Sequence, residues 1–134
     1  MSLETDLRAR LLGDPSLVLL VDSRIYPDQA PQEAERPYIT YERISAFRPL
    51  HFCGVTPCVQ ARVVYEIFAA SREAARQIFD LLDTILNGLS GLVGATKLRL
   101  AHVDDETDSS EAPAGGDEEA VYVSRLDLLA WYHT

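Results

Sequence analysis

The side chains that could act as nucleophiles or bases are few, and they are scattered along the sequence. The candidate nucleophiles are Ser71, Ser90, Ser110, Cys53 and Cys58, and the candidate bases are His51, His102 and His133. No serine stands in a G-x-S-x-G elbow or in a comparable setting that would activate its hydroxyl. Residue types and spacing therefore predict no catalytic site, and we interpret the chain as a protein that is not an enzyme.

The segment HFCGVTPC places two cysteines and a histidine within eight residues, and these are ligand types that zinc prefers. His102 or His133 could complete a tetrahedron, but the spacing lacks the paired short knuckles of structural zinc sites. A disulfide between Cys53 and Cys58 is a second interpretation. The N-terminal residues show no secretion signal, so two reduced thiols are favoured, and we expect no metal and no cofactor.

A glycine-rich stretch, NGLSGLVGAT, has the glycines of a phosphate-binding loop but not its other residues. Such a loop needs a following Lys and Ser or Thr to hold a phosphate and its metal ion. We therefore interpret this stretch as a connection between two elements.

The charge of the chain is concentrated in one segment. The formal net charge is -9, which argues against nucleic-acid binding through basic patches. Residues 104–119 contain no basic residue and are interpreted as an acidic mobile loop, whose spacing does not match a calcium-binding EF-hand. The acids that could bind a partner there are Asp104, Asp105, Glu106, Asp108, Glu111, Asp117, Glu118 and Glu119.

The stretch from Val59 to Leu89 is the clearest structural signal, and it predicts a strand that leads directly into the longest helix. Apolar residues at every second position place one strand face in the core, from Val59 through Val63 to Ala69. The opposite face carries a candidate subunit interface: Arg62, Val64, Glu66 and Phe68. Apolar residues on a face that no core needs are typical of a contact surface, although cover by another part of the chain is an equal alternative.

The spacing of apolar residues changes at Ser71 from every second position to steps of three and four. Ser71 is a favourable N-cap for the long helix. The apolar stripe of this helix is wide enough to pack on a sheet. The helix is expected to end at Asn87, Gly88 and Gly91. The residues of this stripe are Ala75, Ile78, Phe79, Leu82, Ile85, Leu86 and Leu89.

Weaker signals predict the remaining elements. The predicted helices are Ser2–Leu12, ended by Gly13, and a short turn from Asp14 and Pro15 to Val21. The predicted strands are a brief one at Ile25 and Tyr26, then Tyr38–Ala46, Lys97–Val103 and Ala120–Tyr132. We expect Leu98 and Leu100 to face inward. A change of apolar phase in the last strand suggests a bulge near Ser124 and Arg125.

The order of these elements predicts an α+β fold in one domain, residues 1–134. We expect an antiparallel, mixed-order β-sheet of four to five strands, with the long helix and an N-terminal helix packed on one face. Apolar runs are too short to span a bilayer, which needs about 20 apolar residues.

Five short pieces, in order along nearly the whole chain, resemble the tail completion (tail terminator) proteins of long-tailed bacteriophages and prophages, a family catalogued as a domain of unknown function. The pieces are the N-terminal leucine-bearing helix, VDSRIYPDQAPQ, RPYITYERIS, VQARVVYEIFAASREAARQIFDLLDTIL and YVSRLDLLAWY. The CGVTPC segment and the length of the acidic segment are not features of that family.

The resemblance implies a structural protein with no catalytic residues. It implies small α+β subunits that assemble as a ring, usually a hexamer, on the end of the tail tube and present a surface to the head connector. The expected partners are therefore other copies of the chain, the tail-tube protein and the head-tail connector protein, with no membrane. The expected location is the host bacterial cytoplasm during assembly and then the tail or neck of the virion. The alternatives are an acidic protein-binding module that mimics nucleic acid, or another neck or tail assembly protein.

Overall fold

The computed structural model describes residues 2–32, 34–48, 50–51, 54–55, 58–111 and 121–133. The helices in these residues are α1 (Leu3–Leu12), α2 (Pro15–Val21) and α3 (Arg72–Leu86). The strands are β1 (Ile25–Pro27), β2 (Tyr38–Phe47), β3 (Leu50–His51), β4 (Gly54–Val55), β5 (Cys58–Ala69), β6 (Gly91–Val93), β7 (Thr96–Glu111) and β8 (Val121–His133). No helix among them is long and apolar enough to cross a membrane.

The main sheet has six strands in the order β1-β2-β5-β8-β7-β6. All neighbouring pairs are antiparallel except β1 and β2, which are parallel, and β3 and β4 form a separate hairpin. The α+β class is confirmed, but the prediction of four to five antiparallel strands is wrong in number and in one pairing. The short strand β6 was missed because a three-residue strand between turn glycines has too little pattern to detect.

The core lies between the helices and one face of the sheet, which we call the inner face. A single apolar cluster joins the leucines of α1, the stripe of α3 and the inner residues of β5 and β8. In β5 the predicted alternation is confirmed, since Val63, Tyr65 and Ile67 are fully buried. Burying a large apolar side chain stabilises a fold by roughly 1.5–3 kcal/mol, so this layer supplies much of the folding free energy.

The predicted caps of two helices are confirmed. The Ser71 hydroxyl accepts a hydrogen bond from the Ala74 amide at 3.2 Å, and the Asp14 carboxylate accepts one from the Leu17 amide at 3.1 Å. Ser2 caps α1 through the amide of Thr5. These side chains satisfy amides that the helices leave without partners.

Helix α1 is tied to both halves of the sheet. Glu4 forms an ion pair with Arg43 of β2. On the other side, the hydroxyl of Thr96 donates a 2.5 Å hydrogen bond to the carboxylate of Asp6, which is only 2% exposed. The glycine-rich stretch therefore forms the β6–β7 hairpin, whose turn carries Gly94 directly against Asp6.

The bulges lie in strands other than the one that the sequence suggests. Strand β8 pairs with β5 without interruption, so the predicted bulge near Ser124 and Arg125 is wrong. Ser124 simply occupies a buried inner position, where its hydroxyl donates to Asp108 at 2.7 Å. The register shifts instead in β2 and twice in β7. One of these shifts puts Leu100 on the outer face, where it is 44% exposed, so the prediction that Leu100 faces inward is also wrong.

The acidic segment is ordered over its first half. Residues 104–111 form the second half of β7 and pair with β8 from Asp127 to Val121, so the prediction of a mobile loop is wrong for them. The rest of that predicted loop, with Asp117, Glu118 and Glu119, lies outside the described residues.

Replacing Tyr65 with phenylalanine should leave the free energy of unfolding unchanged or raise it by up to about 1 kcal/mol at neutral pH. The Tyr65 hydroxyl is fully buried and has no hydrogen-bond partner among the described residues. Burial raises the pKa of this hydroxyl above its usual range, and the nearby Tyr41 and Glu4 raise it further. Since the folded pKa exceeds the unfolded value of about 10, the wild-type protein should lose stability as pH rises above about 10.

Urea unfolding at pH 7 and at pH 11 measures both effects. The advantage of the Tyr65→Phe variant should grow over this interval, because phenylalanine has no proton to lose. A loss of stability at pH 7 would mean that the hydroxyl does have a partner.

Candidate interaction surfaces

The sheet face opposite the helices, which we call the outer face, is built from five cross-strand rows. Each row contains one residue from each of β2, β5, β8 and β7. From one end to the other the rows are Tyr38–Phe68–Val123–Ser109, Thr40–Glu66–Arg125–Thr107, Glu42–Val64–Asp127–Asp105, Ser45–Arg62–Leu129–His102 and Phe47–Gln60–Trp131–Leu100. The two end rows are largely apolar and the rows between them carry the charges.

The first row forms an aromatic end. The rings of Tyr38 and Phe68 stack with their centroids 4.9 Å apart, and Tyr26 meets Tyr38 edge to face at 6.1 Å. Phe68 is half-buried, so part of its ring remains accessible. Stacked aromatic pairs are rigid and add about 0.5–1.5 kcal/mol beyond area burial, which makes this end a defined apolar surface.

The central rows form an ion-pair network across three strands. The Arg62 guanidinium contacts Asp104 at 3.0 Å and Asp127 at 3.4 Å, and Arg125 contacts Asp127 at 3.0 Å. The hydrogen bond to Asp127 raises the pKa of the Arg125 guanidinium. The charges of these four side chains are therefore paired with one another within the chain.

Val64 is only 4% exposed although it lies on the outer face. Its neighbours in the network are long or charged side chains, whose stems can cover a valine between them. The four residues predicted as a subunit interface, Arg62, Val64, Glu66 and Phe68, thus share one face, as their alternation indicates. Only Phe68 presents an apolar surface there, and the role of the set in a subunit contact stays a prediction.

The last row forms a second apolar end that the sequence did not reveal. Phe47 is 62% exposed and Leu100 is 44% exposed, with Trp131 half-buried between them. The exposed bases Arg48, Lys97 and Arg99 adjoin this row in sequence. We call Phe47, Gln60, Trp131 and Leu100 the lower row.

The acids of β7 are clasped by α3 on the inner side. Arg76 contacts Glu106 at 3.0 Å, and this hydrogen bond raises the pKa of its guanidinium. Arg72 contacts Asp108 at 3.4 Å and donates to the Ser109 carbonyl at 2.9 Å. We call these contacts the arginine clasp. Neutralisation by the clasp explains why so acidic a segment forms a strand.

Of the eight acids predicted to bind a partner, four have side chains that the structure describes. Asp104, Glu106 and Asp108 form ion pairs, and Asp105 is exposed on the outer face. Glu111 ends β7, and the other three acids lie outside the described residues. The acids are therefore not a uniform surface, and their part in partner binding remains a prediction.

Replacing Arg72 and Arg76 together with alanine should lower the free energy of unfolding by about 1–2 kcal/mol, because exposed ion pairs contribute up to about 1 kcal/mol each. The larger effect should be local, since Glu106 and Asp108 would then lose their arginine partners within an acidic strand. Hydrogen exchange of the amides of 104–111 should become at least several-fold faster in the double variant. Arg36→Ala, which removes an exposed base from a connection, is the control and should leave this exchange unchanged. Equal protection in both variants would contradict the clasp.

The described residues do not assemble a metal site, since no three histidine, cysteine or acidic side chains among them are grouped suitably. The register places Cys58 opposite His133 at the end of the sheet, whereas His102 pairs with Leu129 in a different row. Cys53 and the side chain of His51 lie outside the described part, so the choice between thiols, a disulfide and zinc is not tested.

Comparison with known structures shows that the fold occurs elsewhere. A chain in the virion of a native gene transfer agent (GTA) particle superposes with a TM-score of 0.77 at 13% identity, covering 99% of this chain and 96% of that one. A second solved chain gives a TM-score of 0.52 at 14% identity, covering 97% of this chain and 96% of its own length. At such identities the likeness shows the fold alone.

Comparison of sequences identifies the family. No curated protein matches the chain. The family model described as tail completion protein gp17 matches residues 5–133, which is nearly the whole chain. The resemblance to tail completion proteins is thereby confirmed. The chain belongs to the gp17 tail completion family, and it is a structural protein of the phage tail.

Proposed function

We propose that the protein caps the phage tail tube as an oligomeric ring, ends tube polymerisation and joins the tube to the head connector. The observation that carries this proposal is the family match over residues 5–133. The ring is hexameric by the same resemblance. The protein acts by self-association and docking, and no step requires a cofactor or a catalytic residue.

The surfaces of the chain fit such a role. A heterologous ring needs two different surfaces on each subunit, and the outer face offers apolar ends on either side of a charged centre. Phe68 and its row provide one ring contact, next to Arg62, Val64 and Glu66. The fold of the GTA virion chain supports a place in a particle, since that chain is itself a virion component.

Electron microscopy of tail tubes polymerised with and without the purified protein tests the proposal. With the protein, tubes should end in a ring at one end and have a narrow length distribution. Without it, tubes should continue to grow. Protein bound along the tube wall, or absent from both ends while folded, would overturn the proposal.

An acidic module that mimics nucleic acid is less well supported. A mimic needs free carboxylates spread over a surface, whereas Asp104, Glu106 and Asp108 are paired with arginines of the same chain. The outer face also carries Arg62 and Arg125 at its centre, which a mimic would avoid. Another neck or tail assembly role remains the closer alternative, and the position of the ring in the micrographs distinguishes it.

A further inference from the structure

The lower row is an apolar surface without a partner in the described chain. Phe47 at the end of β2 and Leu100 within β7 expose 62% and 44% of their surfaces. The helices pack on the inner face and leave this row uncovered. Large exposed apolar side chains grouped at one end of a sheet face make this row a candidate interaction site.

A second apolar surface lies in the helical layer. Helix α2, PSLVLLV, has no charged residue, and its Leu19 is 86% exposed. A groove of about 480 Å³ runs between α2 and α3, and its apolar lining includes Leu19, Leu20 and Leu81. We call these three leucines the α2 patch. A leucine so exposed at the rim of a groove has its side chain available to a partner.

The charges around the two surfaces are complementary. Arg48, Lys97 and Arg99 adjoin the lower row, and all three are exposed. The α2 patch instead has Asp22 at the end of its helix and Asp80 in the groove, where Asp80 is 72% exposed and contacts Arg76 at 3.6 Å. Arg24 is a base that also adjoins this patch, and its guanidinium donates to the Leu20 carbonyl at 3.4 Å. In a chain with net charge -9, bases beside one apolar surface and acids beside the other favour contact between the two.

Their placement fixes the kind of contact. The lower row faces away from the helices, whereas the α2 patch lies on the helical side, so the two surfaces belong to opposite layers of the subunit. Two different surfaces on opposite sides make a heterologous, head-to-tail contact, which is the type that closes into rings.

We propose that the lower row of one copy docks on the α2 patch of the next copy. The inference rests on the proposed ring function and names a pair of surfaces that contribute to the subunit contact besides the row of Phe68. The leucines of α2 cover Phe47 and Leu100, and Lys97 and Arg99 meet Asp22 and Asp80 at the rim.

Two single variants and their mixture test the contact. Leu19→Asp and Phe47→Asp each place a carboxylate in the apolar centre, and each should weaken self-association by about 30-fold or more, the usual effect at a hot spot. Leu92→Asp is the matched control, because Leu92 is 72% exposed on β6 and belongs to neither surface. Circular dichroism and thermal melting should be alike for all four proteins, since the substituted side chains are exposed.

The mixture gives the decisive result. Each single variant keeps one intact surface, so an equimolar mixture of Leu19→Asp and Phe47→Asp should form dimers with one native contact and nothing larger. Sedimentation velocity measures this in solution, and chemical cross-linking on tail tubes measures it if the wild-type protein assembles only there. The control should assemble like the wild type.

Each other outcome counts against the contact. Two monomeric variants whose mixture forms no dimer, or variants that assemble as the wild type does, would overturn it. A Phe47→Asp variant that self-associates normally but no longer binds tubes would assign the lower row to the tube protein and would also overturn it. A wild-type protein that forms no ring in solution or on tubes would instead refute the proposed function.

Discussion

Replacing Gly94 with alanine should lower the free energy of unfolding by about 2–5 kcal/mol, a large part of the stability of a small domain. Gly94 has a φ of +58°, which costs an L-residue about 1–2 kcal/mol. An added Cβ would also lie 2.5 Å from Oδ1 of Asp6 and 2.8 Å from its Cγ. Asp6 is buried and bonded to Thr96, so it cannot move without breaking a buried hydrogen bond, at a further cost of about 1–3 kcal/mol.

Gly88→Ala is the matched control for this prediction. Gly88 has a φ of +82°, but an added Cβ would meet no atom within 4 Å, so only the backbone cost applies. Urea unfolding of both variants separates the clash from the conformational cost. In an Asp6→Ala background, Gly94→Ala should cost less than in the wild type, because most of the clash is then removed. Equal costs for Gly94→Ala and Gly88→Ala would contradict the close approach of α1 to this turn.

Local signals were sufficient to predict most elements of the fold. Ser71 as a cap and the alternation through Val63 and Tyr65 depend on neighbouring residues, and the structure confirms both. The second half of β7 could not be predicted in this way, because its acids have low strand propensity. This half of β7 pairs with β8 and contacts the arginine clasp, whose Arg76 and Arg72 lie 30 and 37 residues before the groups they bond.

The interaction surfaces were also predictable only where local sequence signals determine them. The outer position of Phe68 follows from the period of two within β5, so the sequence could place it. The lower row could not be found, because the register shift between Leu98 and Leu100 turns the second leucine outward. A bulge of this kind leaves no reliable sequence signal. The bulge predicted in β8 is wrong for a related reason. Ser124 is a polar residue on the inner face, and its burial is compensated by its hydrogen bond to Asp108.

Replacing Phe68 with aspartate should leave a folded monomer that no longer caps tail tubes. The phenyl ring of Phe68 lies on the outer face and is only half-buried. The loss of its stack on Tyr38 should therefore cost roughly 1–2 kcal/mol of stability. Assembly should suffer far more, because a carboxylate at the centre of an apolar contact typically costs 2 kcal/mol or more of binding free energy. Tube lengths measured by electron microscopy should then be as broad as in the absence of the protein.

Phe68→Leu separates the two contributions, because leucine loses the aromatic stack but keeps an apolar surface. It should share the small loss of stability and still cap tubes. If Phe68→Asp is folded and tube length stays normal, the aromatic end is not a ring contact. Comparison with Phe47→Asp then locates the contact along the outer face, since the two residues stand at opposite ends of it. Failure of both variants would mean that both ends of the outer face take part in assembly, whereas failure of Phe47→Asp alone would confine the contact to the lower row.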